Sequence, residues 1–177
     1  PKVAPSSAES STLASFVQGG GALVLVSDMQ GYAPEPSPIF NALLPGLGVE
    51  ARFAPGAVYS CGDTSAIEAH PLTAGLTAFH FAAPDYVVPG AATTPLVSTG
   101  DGNLFVAVEK NVVLLGDSNP INTFVCAPAE VNAPFFADLP AFACDVDGDG
   151  AMNASCDGSD PDDLDPSLTA PGGEGAQ

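Results

Sequence analysis

The stretch Leu13-Ala-Ser-Phe-Val-Gln-Gly-Gly-Gly-Ala-Leu-Val-Leu-Val-Ser-Asp28 decides the fold class of the main part of the chain. Its first half completes an amphipathic helix predicted over residues 9–19, with Ser10 or Ser11 as the N-cap, and the glycines end that helix. Residues 22–27 form a continuous apolar run, which is typical of a strand buried on both faces of a parallel sheet. A helix followed at once by such a strand indicates an α/β domain.

Similar signals continue along the chain as far as residue 143. Helices are predicted at residues 38–44 and 133–142, and strands at 49–53, 96–98, 104–109 and 112–115. A tight turn at Lys110-Asn111 joins the last two strands. We therefore predict a mostly parallel sheet with flanking helices for residues 1–143, followed by a small, irregular acidic module at residues 144–177.

The acidic module has the spacing of a calcium-binding loop. Asp145, Asp147 and Asp149 alternate with other residues, and glycine follows directly, which lets the chain turn sharply around an ion. Ala151 would offer its carbonyl group at position seven of such a loop, and Asn153 stands at position nine. Carboxylate and carbonyl oxygens are the ligands that Ca²⁺ prefers, so we expect calcium here.

The loop is not a regular EF-hand, because Cys156 stands at position twelve, where a bidentate Glu is usual. The next residues supply the missing carboxylates: Asp157, Asp160, Asp162, Asp163 and Asp165. Residues 145–177 hold eight Asp and one Glu and no Lys or Arg. The alternative interpretation is a solvated, disordered acidic tail, but the regular offsets favour one or two bound calcium ions.

The acidic module resembles thrombospondin type 3 repeats and the Asp-rich metal-binding motif of bacterial surface proteins. The matching segments are Asp145-Val-Asp-Gly-Asp-Gly150, Asp160-Pro-Asp-Asp-Leu-Asp-Pro166 and Pro171-Gly-Gly-Glu174. The resemblance implies that Glu174 belongs to the same calcium-binding set. The chain departs from the motif at Pro161, where the motif usually has a cysteine.

The main domain resembles the class I glutamine-amidotransferase-like domains. The resemblance rests on the opening stretch, on His70-Pro-Leu-Thr-Ala-Gly75, on Val112-Val-Leu-Leu-Gly-Asp-Ser118 and on residues 132–136. It implies a flavodoxin-like fold, and many members are non-catalytic. In that group a strand precedes the position of Pro1-Lys2, so the resemblance also implies that a neighbouring segment or another chain fills this place in the sheet.

The cysteines favour disulfides over catalysis. An active amidotransferase has its nucleophilic Cys in a G-x-C-x-G turn, but Cys61 lacks the glycine two residues before it. We therefore expect Cys61 to pair with Cys126, and Cys144 to pair with Cys156 across the first acidic loop. The chain is predicted not to be an enzyme.

A second candidate site lies at the predicted strand ends. Asp28, Asp117 and Ser118 follow apolar strands, where α/β domains bind ligands, and His70 is added as a loop residue. These residues would form a pocket for a small molecule or carbohydrate. The alternative is that the two Asp residues cap turns. His80 is expected to point outward from its strand.

Composition restricts the partners and the location. The net charge is −18 and only three residues are Lys or Arg, which argues against binding to nucleic acids or anionic membranes. Four cysteines beside calcium-type loops suit an extracellular, cell-surface or periplasmic space. Because the sequence begins at Pro1, we expect a processed piece of a longer protein.

The predicted function is a calcium-stabilised structural, adhesion or assembly protein that binds other copies or another surface protein, with the small-molecule binder or hydrolase as the alternative.

Overall fold

The structure is a computed structural model that describes residues 3–29, 36–56, 61–121 and 129–146 together with Met152, Cys156 and Gly158. The α-helices in these ranges are α1 (Ser7–Gln18), α2 (Pro36–Leu43) and α3 (Ala133–Phe142). The strands are β1 (Leu23–Val26), β2 (Arg52–Ala54), β3 (Cys61–Thr64), β4 (Phe79–Ala82), β5 (Tyr86–Val88), β6 (Thr94–Ser98), β7 (Leu104–Glu109) and β8 (Val112–Leu115). Short 3₁₀ helices occupy Leu44–Leu47, Pro71–Thr73, Asn119–Ile121 and Ala129–Asn132.

Four strands form the main sheet in the order β1-β8-β7-β6. β1 runs parallel to β8, whereas β8 with β7 and β7 with β6 are antiparallel. The protein is therefore of the α/β class, but the predicted mostly parallel sheet is corrected to a mixed one. The predicted turn at Lys110-Asn111 is confirmed, and Lys110 has a positive φ of 54°. Such a hairpin makes its two strands antiparallel, however apolar they are.

The two edges of the main sheet differ. The edge formed by β6 is extended by residues 66–68, because the Glu68 N–H donates to the Leu96 carbonyl at 2.9 Å and the Ser98 N–H donates to the Ala66 carbonyl at 3.0 Å. At the opposite edge, β1 pairs with β8 on one side, and no other strand of the described ranges lies beside it. Within the described ranges, one edge of the sheet is thus extended by residues 66–68 and the other has no neighbouring strand.

Both faces of the main sheet are covered by apolar side chains. On the face that packs against α1 and α2, the buried residues include Val17, Leu25, Phe40, Leu43, Val112 and Leu114. On the face that packs against α3, they include Phe105, Val113, Leu115, Phe135 and Phe142. Each such side chain stabilises the fold by about 1.5–3 kcal/mol when buried. This two-sided burial explains why the strand sequences are continuously apolar.

The helices begin and end close to the predicted residues. α3 spans the predicted 133–142, but α1 begins earlier than predicted because its N-cap is Ser6 rather than Ser10 or Ser11. The Ser6 hydroxyl accepts a hydrogen bond from the Glu9 N–H, and the Glu9 carboxylate accepts one from the Ser6 N–H at 2.7 Å. This capping box fixes the first turn. No helix within the described residues is long and apolar enough to cross a membrane.

Three strands and one side-chain orientation were missed from the sequence. β3 pairs with β4 and β2 with β5, each pair forming a small antiparallel sheet, and β3, β4 and β5 were not predicted. His80 was expected to point outward, but it is buried with the rest of β4. The side chains of β4 are covered on both faces, so alternation does not separate inside from outside there.

Candidate functional site

The parallel pair of β1 and β8 brings two predicted site segments together. Ser27-Asp28 follows β1 and Asp117-Ser118 follows β8, and parallel strands end at the same side of a sheet. The Ser118 hydroxyl donates a hydrogen bond to the Asp28 carboxylate, and the Met29 N–H donates to the same carboxylate at 2.8 Å. Asp28, Asp117 and Ser118 therefore form one polar cluster, which we call the strand-end cluster.

Asp117 is the buried member of the strand-end cluster. Burial raises the pKa of its carboxyl group from 3.8 to about 6, and the negative charge of Asp28 adds to this effect. Hydrogen bonds act in the opposite direction, because the carboxylate accepts from the Ala82 N–H at 2.5 Å and from the Asn119 N–H at 2.8 Å. The effect of burial on the pKa is larger than that of the hydrogen bonds. The Asp117 carboxyl group therefore loses its proton in the mildly acidic range.

A second buried carboxyl group, that of Asp85, contacts Ser27, the residue before Asp28, and sequence reasoning missed it. Asp85 has no exposed surface, and its carboxylate accepts hydrogen bonds from the hydroxyls of Ser27, at 2.7 Å, and Ser37. It also accepts from the Gly56 N–H at 3.2 Å. These donors satisfy buried carboxyl oxygens that would be costly to leave without a hydrogen bond. The available signal was a single acidic residue in the otherwise apolar run of residues 81–89.

His70 has its contacts elsewhere in the molecule. Its Nδ1 accepts a hydrogen bond from the Leu72 N–H at 3.1 Å, and its ring lies 6.1 Å from the ring of Phe142. It lines an open cavity of about 410 Å³ with Glu68 and Thr73. Burial lowers the pKa of His70, so the ring favours its neutral form. The structure thus groups three of the four predicted pocket residues and shows no contact between His70 and them.

His80 forms a further polar pair that the sequence did not indicate. Its Nδ1 lies 2.7 Å from the Asp63 carboxylate on the neighbouring strand. Its backbone is held by the Asn132 side chain, which accepts from the His80 N–H at 2.7 Å and donates to the His80 carbonyl at 3.0 Å. The buried Nε2 has no hydrogen-bond partner among the described residues. These contacts tie β4 to β3 and to the segment that begins α3.

The acidic module is closed by a disulfide at its start. Cys144 and Cys156 are bonded, with their Cα atoms 5.6 Å apart. Two residues beyond the bond, Gly158 lies against the backbone of Met152, where an added Cβ would come within 1.7 Å of the Met152 carbonyl oxygen. The disulfide and this contact bring Cys144 next to Cys156 and Met152 next to Gly158.

The predicted calcium ligands stand in this loop and after it. Asp145 is partly buried and takes part in further interactions of the described chain. The other predicted ligands lie outside the described residues: Asp147, Asp149, Ala151, Asn153, Asp157, Asp160, Asp162, Asp163, Asp165 and Glu174. Among the described residues no group of three His, Cys, Asp or Glu side chains could hold a metal ion.

The donor set of the loop fits calcium chemically. Its predicted side-chain ligands are carboxylates and an amide, which are hard oxygen donors, and both sulfur atoms at its ends are already bonded to each other. The disulfide joins two cysteines separated by 12 positions in the sequence, and this closure restricts where those oxygens can lie. The same residues would suit a soft metal poorly.

Cys61 of the main domain is not a free thiol. Cys61 is disulfide-bonded and lies on β3 rather than on a strand-to-helix turn. A bonded sulfur cannot act as a nucleophile while the bond persists. Cys126, its predicted partner, lies outside the described residues.

Comparison with protein-family models finds no matching family, and comparison with curated proteins finds no matching sequence. The solved structure of the mmIFT52 N-terminal domain matches with a TM-score of 0.64 at 12% sequence identity. The match covers 81% of this chain and 73% of that chain. At this identity the likeness concerns the fold alone, and it supports the α/β class described above.

Proposed function

We propose that this chain is a secreted or cell-surface structural and assembly protein, in which a non-catalytic α/β domain carries a calcium-stabilised acidic module. The α/β domain is proposed to be of the flavodoxin-like, amidotransferase-like type. The observation that carries the proposal is the Cys144–Cys156 disulfide, which closes the loop that holds Asp145, Asp147 and Asp149. A disulfide also suits an oxidising, extracellular space.

Electrostatics supports the calcium part of the proposal. Residues 145–177 carry nine carboxylates and no positive side chain, so bringing them into one module without a cation costs free energy. Each bound Ca²⁺ would remove two of these negative charges. Ligation would also order the segment, because folding and ion binding are coupled in small metal modules. The ordered module would then serve as a rigid spacer or contact surface.

The test is thermal unfolding of the chain in calcium and in chelator, with two matched variants. The first changes Asp145, Asp147 and Asp149 to Asn; the second changes three exposed carboxylates outside the module, Glu68→Gln, Asp101→Asn and Glu130→Gln. Both variants lose three negative charges, so general charge repulsion falls equally. We expect calcium to raise the melting temperature of the native chain and of the second variant but not of the first. An equal rise in both variants would show that calcium acts through bulk charge and would refute the proposed site.

A second candidate function is a binding site for a small polar molecule at the strand-end cluster. The favouring observation is the meeting of Asp28, Asp117 and Ser118, in which burial raises the pKa of the Asp117 carboxyl group to about 6. Shifted acids at strand ends are common in ligand sites of α/β domains. A melting-temperature screen against monosaccharides, compared between the native chain and Asp28→Asn, tests it. A stabilising sugar that loses its effect in the variant would support this function, and the absence of any shift would exclude it for that ligand class.

A further inference from the structure

The open cavity beside His70 is built from two chain segments that hydrogen bonds hold in place. One wall is residues 65–69, which are fixed to β6 because the Glu68 N–H donates to the Leu96 carbonyl at 2.9 Å. The other wall is residues 70–77. The Thr73 hydroxyl joins the walls by donating to the Glu68 carbonyl at 2.6 Å. The cavity has a volume of about 410 Å³, which lies in the size range of small-molecule sites.

His70 offers this cavity a hydrogen-bond donor. Its Nδ1 accepts from the Leu72 N–H at 3.1 Å, so the lone pair is on Nδ1 and the proton of the neutral ring is on Nε2. Burial lowers the pKa of His70 and thereby favours this neutral form. Within the described residues the Nε2–H has no acceptor. A nitrogen that carries its proton cannot bind a metal ion, so Nε2 serves as a donor and not as a metal ligand.

Glu68 offers the same cavity an acceptor. Its side chain is exposed, and its carboxylate forms no hydrogen bond or ion pair with the described part of the chain. Beside it, the apolar side chains of Ile67 and Leu76 line the cavity and pack against the core. The cavity therefore combines one unused donor, one unused acceptor and an apolar surface, which is the usual composition of a small-molecule site.

These groups restrict the chemistry of a ligand. An anion would be repelled by Glu68 and by the net charge of −18. A cation brings donors and no acceptor, so the Nε2–H of His70 would stay unmatched. Two neighbouring hydroxyl groups match both side chains, because each hydroxyl can donate and accept. A sugar ring carries such hydroxyls together with C–H groups that suit the apolar side chains of Ile67 and Leu76.

We propose that the cavity beside His70 binds one ring of a neutral saccharide. The Nε2–H of His70 would donate to one ring hydroxyl, and the Glu68 carboxylate would accept from a neighbouring one. Ser65 and Thr77 also line the cavity and add hydroxyls that can donate or accept. This site is separate from the acidic module and from the strand-end cluster, so the inference adds a binding activity to the proposed surface protein and does not depend on calcium.

The test is a titration of the full chain followed by NMR. The signals observed are those of the ¹³C-labelled methyl groups of Ile67 and Leu76, which line the cavity and remain available in every variant. The probes are the methyl glycosides of glucose, galactose, mannose and N-acetylglucosamine. N-Acetylglycinamide is titrated as well, because an amide group also has one donor and one acceptor side.

Two variants each remove one proposed contact. His70→Asn keeps an acceptor for the Leu72 N–H but loses the Nε2–H, and Asn is well tolerated where a side chain caps a helical turn. Glu68→Gln removes the charge of an exposed side chain and keeps its size, so this variant tests the site even if the first one unfolds. Glu130→Gln is the matched control, since Glu130 is also exposed and does not line the cavity.

We expect at least one glycoside to shift the methyl signals saturably. His70→Asn and Glu68→Gln should each weaken its affinity about tenfold, because each variant loses one hydrogen bond, whereas Glu130→Gln should bind like the native chain. The proposal is overturned if no glycoside gives a saturable shift, or if affinity is unchanged in both cavity variants. A response to the amide probe alone would overturn it in favour of peptide groups. Glycoside binding that is lost only in Asp28→Asn would overturn it in favour of the strand-end cluster.

Discussion

Replacing Asp117 by Asn is the sharpest perturbation of the strand-end cluster. The substitution keeps the size of the side chain but removes its ability to ionise. Burial raises the pKa of Asp117 in the folded protein from the ordinary 3.8 to about 6. The folded protein therefore holds its proton more tightly than the unfolded chain does, and stability contributed by Asp117 is complete below pH 4 and is lost as the pH rises through 6.

The magnitude follows from the two pKa values. The interval between 3.8 and about 6 corresponds to about 3 kcal/mol, at about 1.4 kcal/mol for each tenfold change in proton affinity. The Asn side chain also loses acceptor capacity toward the N–H groups of Ala82 and Asn119, which costs about 1–3 kcal/mol at every pH. The pH-dependent part is separate from this constant cost, so it is the quantity to measure.

The assay is urea unfolding of the native chain and Asp117→Asn at several pH values between 3 and 7. We expect the free energy of unfolding of the variant, relative to the native chain, to rise by about 3 kcal/mol over this range. The control is Asp101→Asn, because a hydrogen bond from Thr99 lowers the pKa of the exposed Asp101 and gives the opposite sign. A relative free energy of Asp117→Asn that does not change with pH would refute the account of the cluster.

Three further predictions concern the core, a buried carboxylate and the disulfide. Phe135→Ala should lower the free energy of unfolding by about 4 kcal/mol in urea titrations, because the ring is fully buried in the α3 face of the sheet. Glu109→Ala should cost about 3 kcal/mol in the same assay, and Glu109→Gln less, because the carboxylate accepts hydrogen bonds from two backbone N–H groups and from the Thr93 hydroxyl. Changing Cys144 and Cys156 to Ser should weaken calcium binding about 100-fold by calorimetry, because opening the loop restores about 3 kcal/mol of chain entropy to the free state.

The sequence predicted elements whose signals are local. α3 occupies the predicted residues 133–142, and the β7–β8 hairpin turns where Lys110-Asn111 indicated. The strand-end cluster was also predictable in part, because Asp28 and Asp117 directly follow apolar runs that lie side by side in the sheet. For α3 and the hairpin a pattern within about ten residues was sufficient, whereas the meeting of Asp28 with Ser118 also required β1 to pair with β8.

What the sequence did not indicate depends on contacts between distant segments. The burial of His80 follows from its pairing with β3 and from Asn132, which is 52 residues away. Asp85 can be buried because the hydroxyls of Ser27 and Ser37 donate hydrogen bonds to its carboxyl group. No local sequence pattern predicts these contacts between distant residues. The mixed sheet follows from the hairpin connection between β7 and β8, which overrode the parallel character of the apolar sequences.

The central claim is that residues 145–177 bind calcium as an ordered module, and calorimetric titration of the native chain with Ca²⁺ tests it most directly. The account predicts saturable binding of one or two ions, no binding in the variant with Asp145, Asp147 and Asp149 changed to Asn, and weaker binding of Mg²⁺, which demands a more regular six-oxygen geometry. A titration without saturable heat, in a chain whose Cys144–Cys156 disulfide is intact, would contradict the claim and reduce the module to an acidic tail.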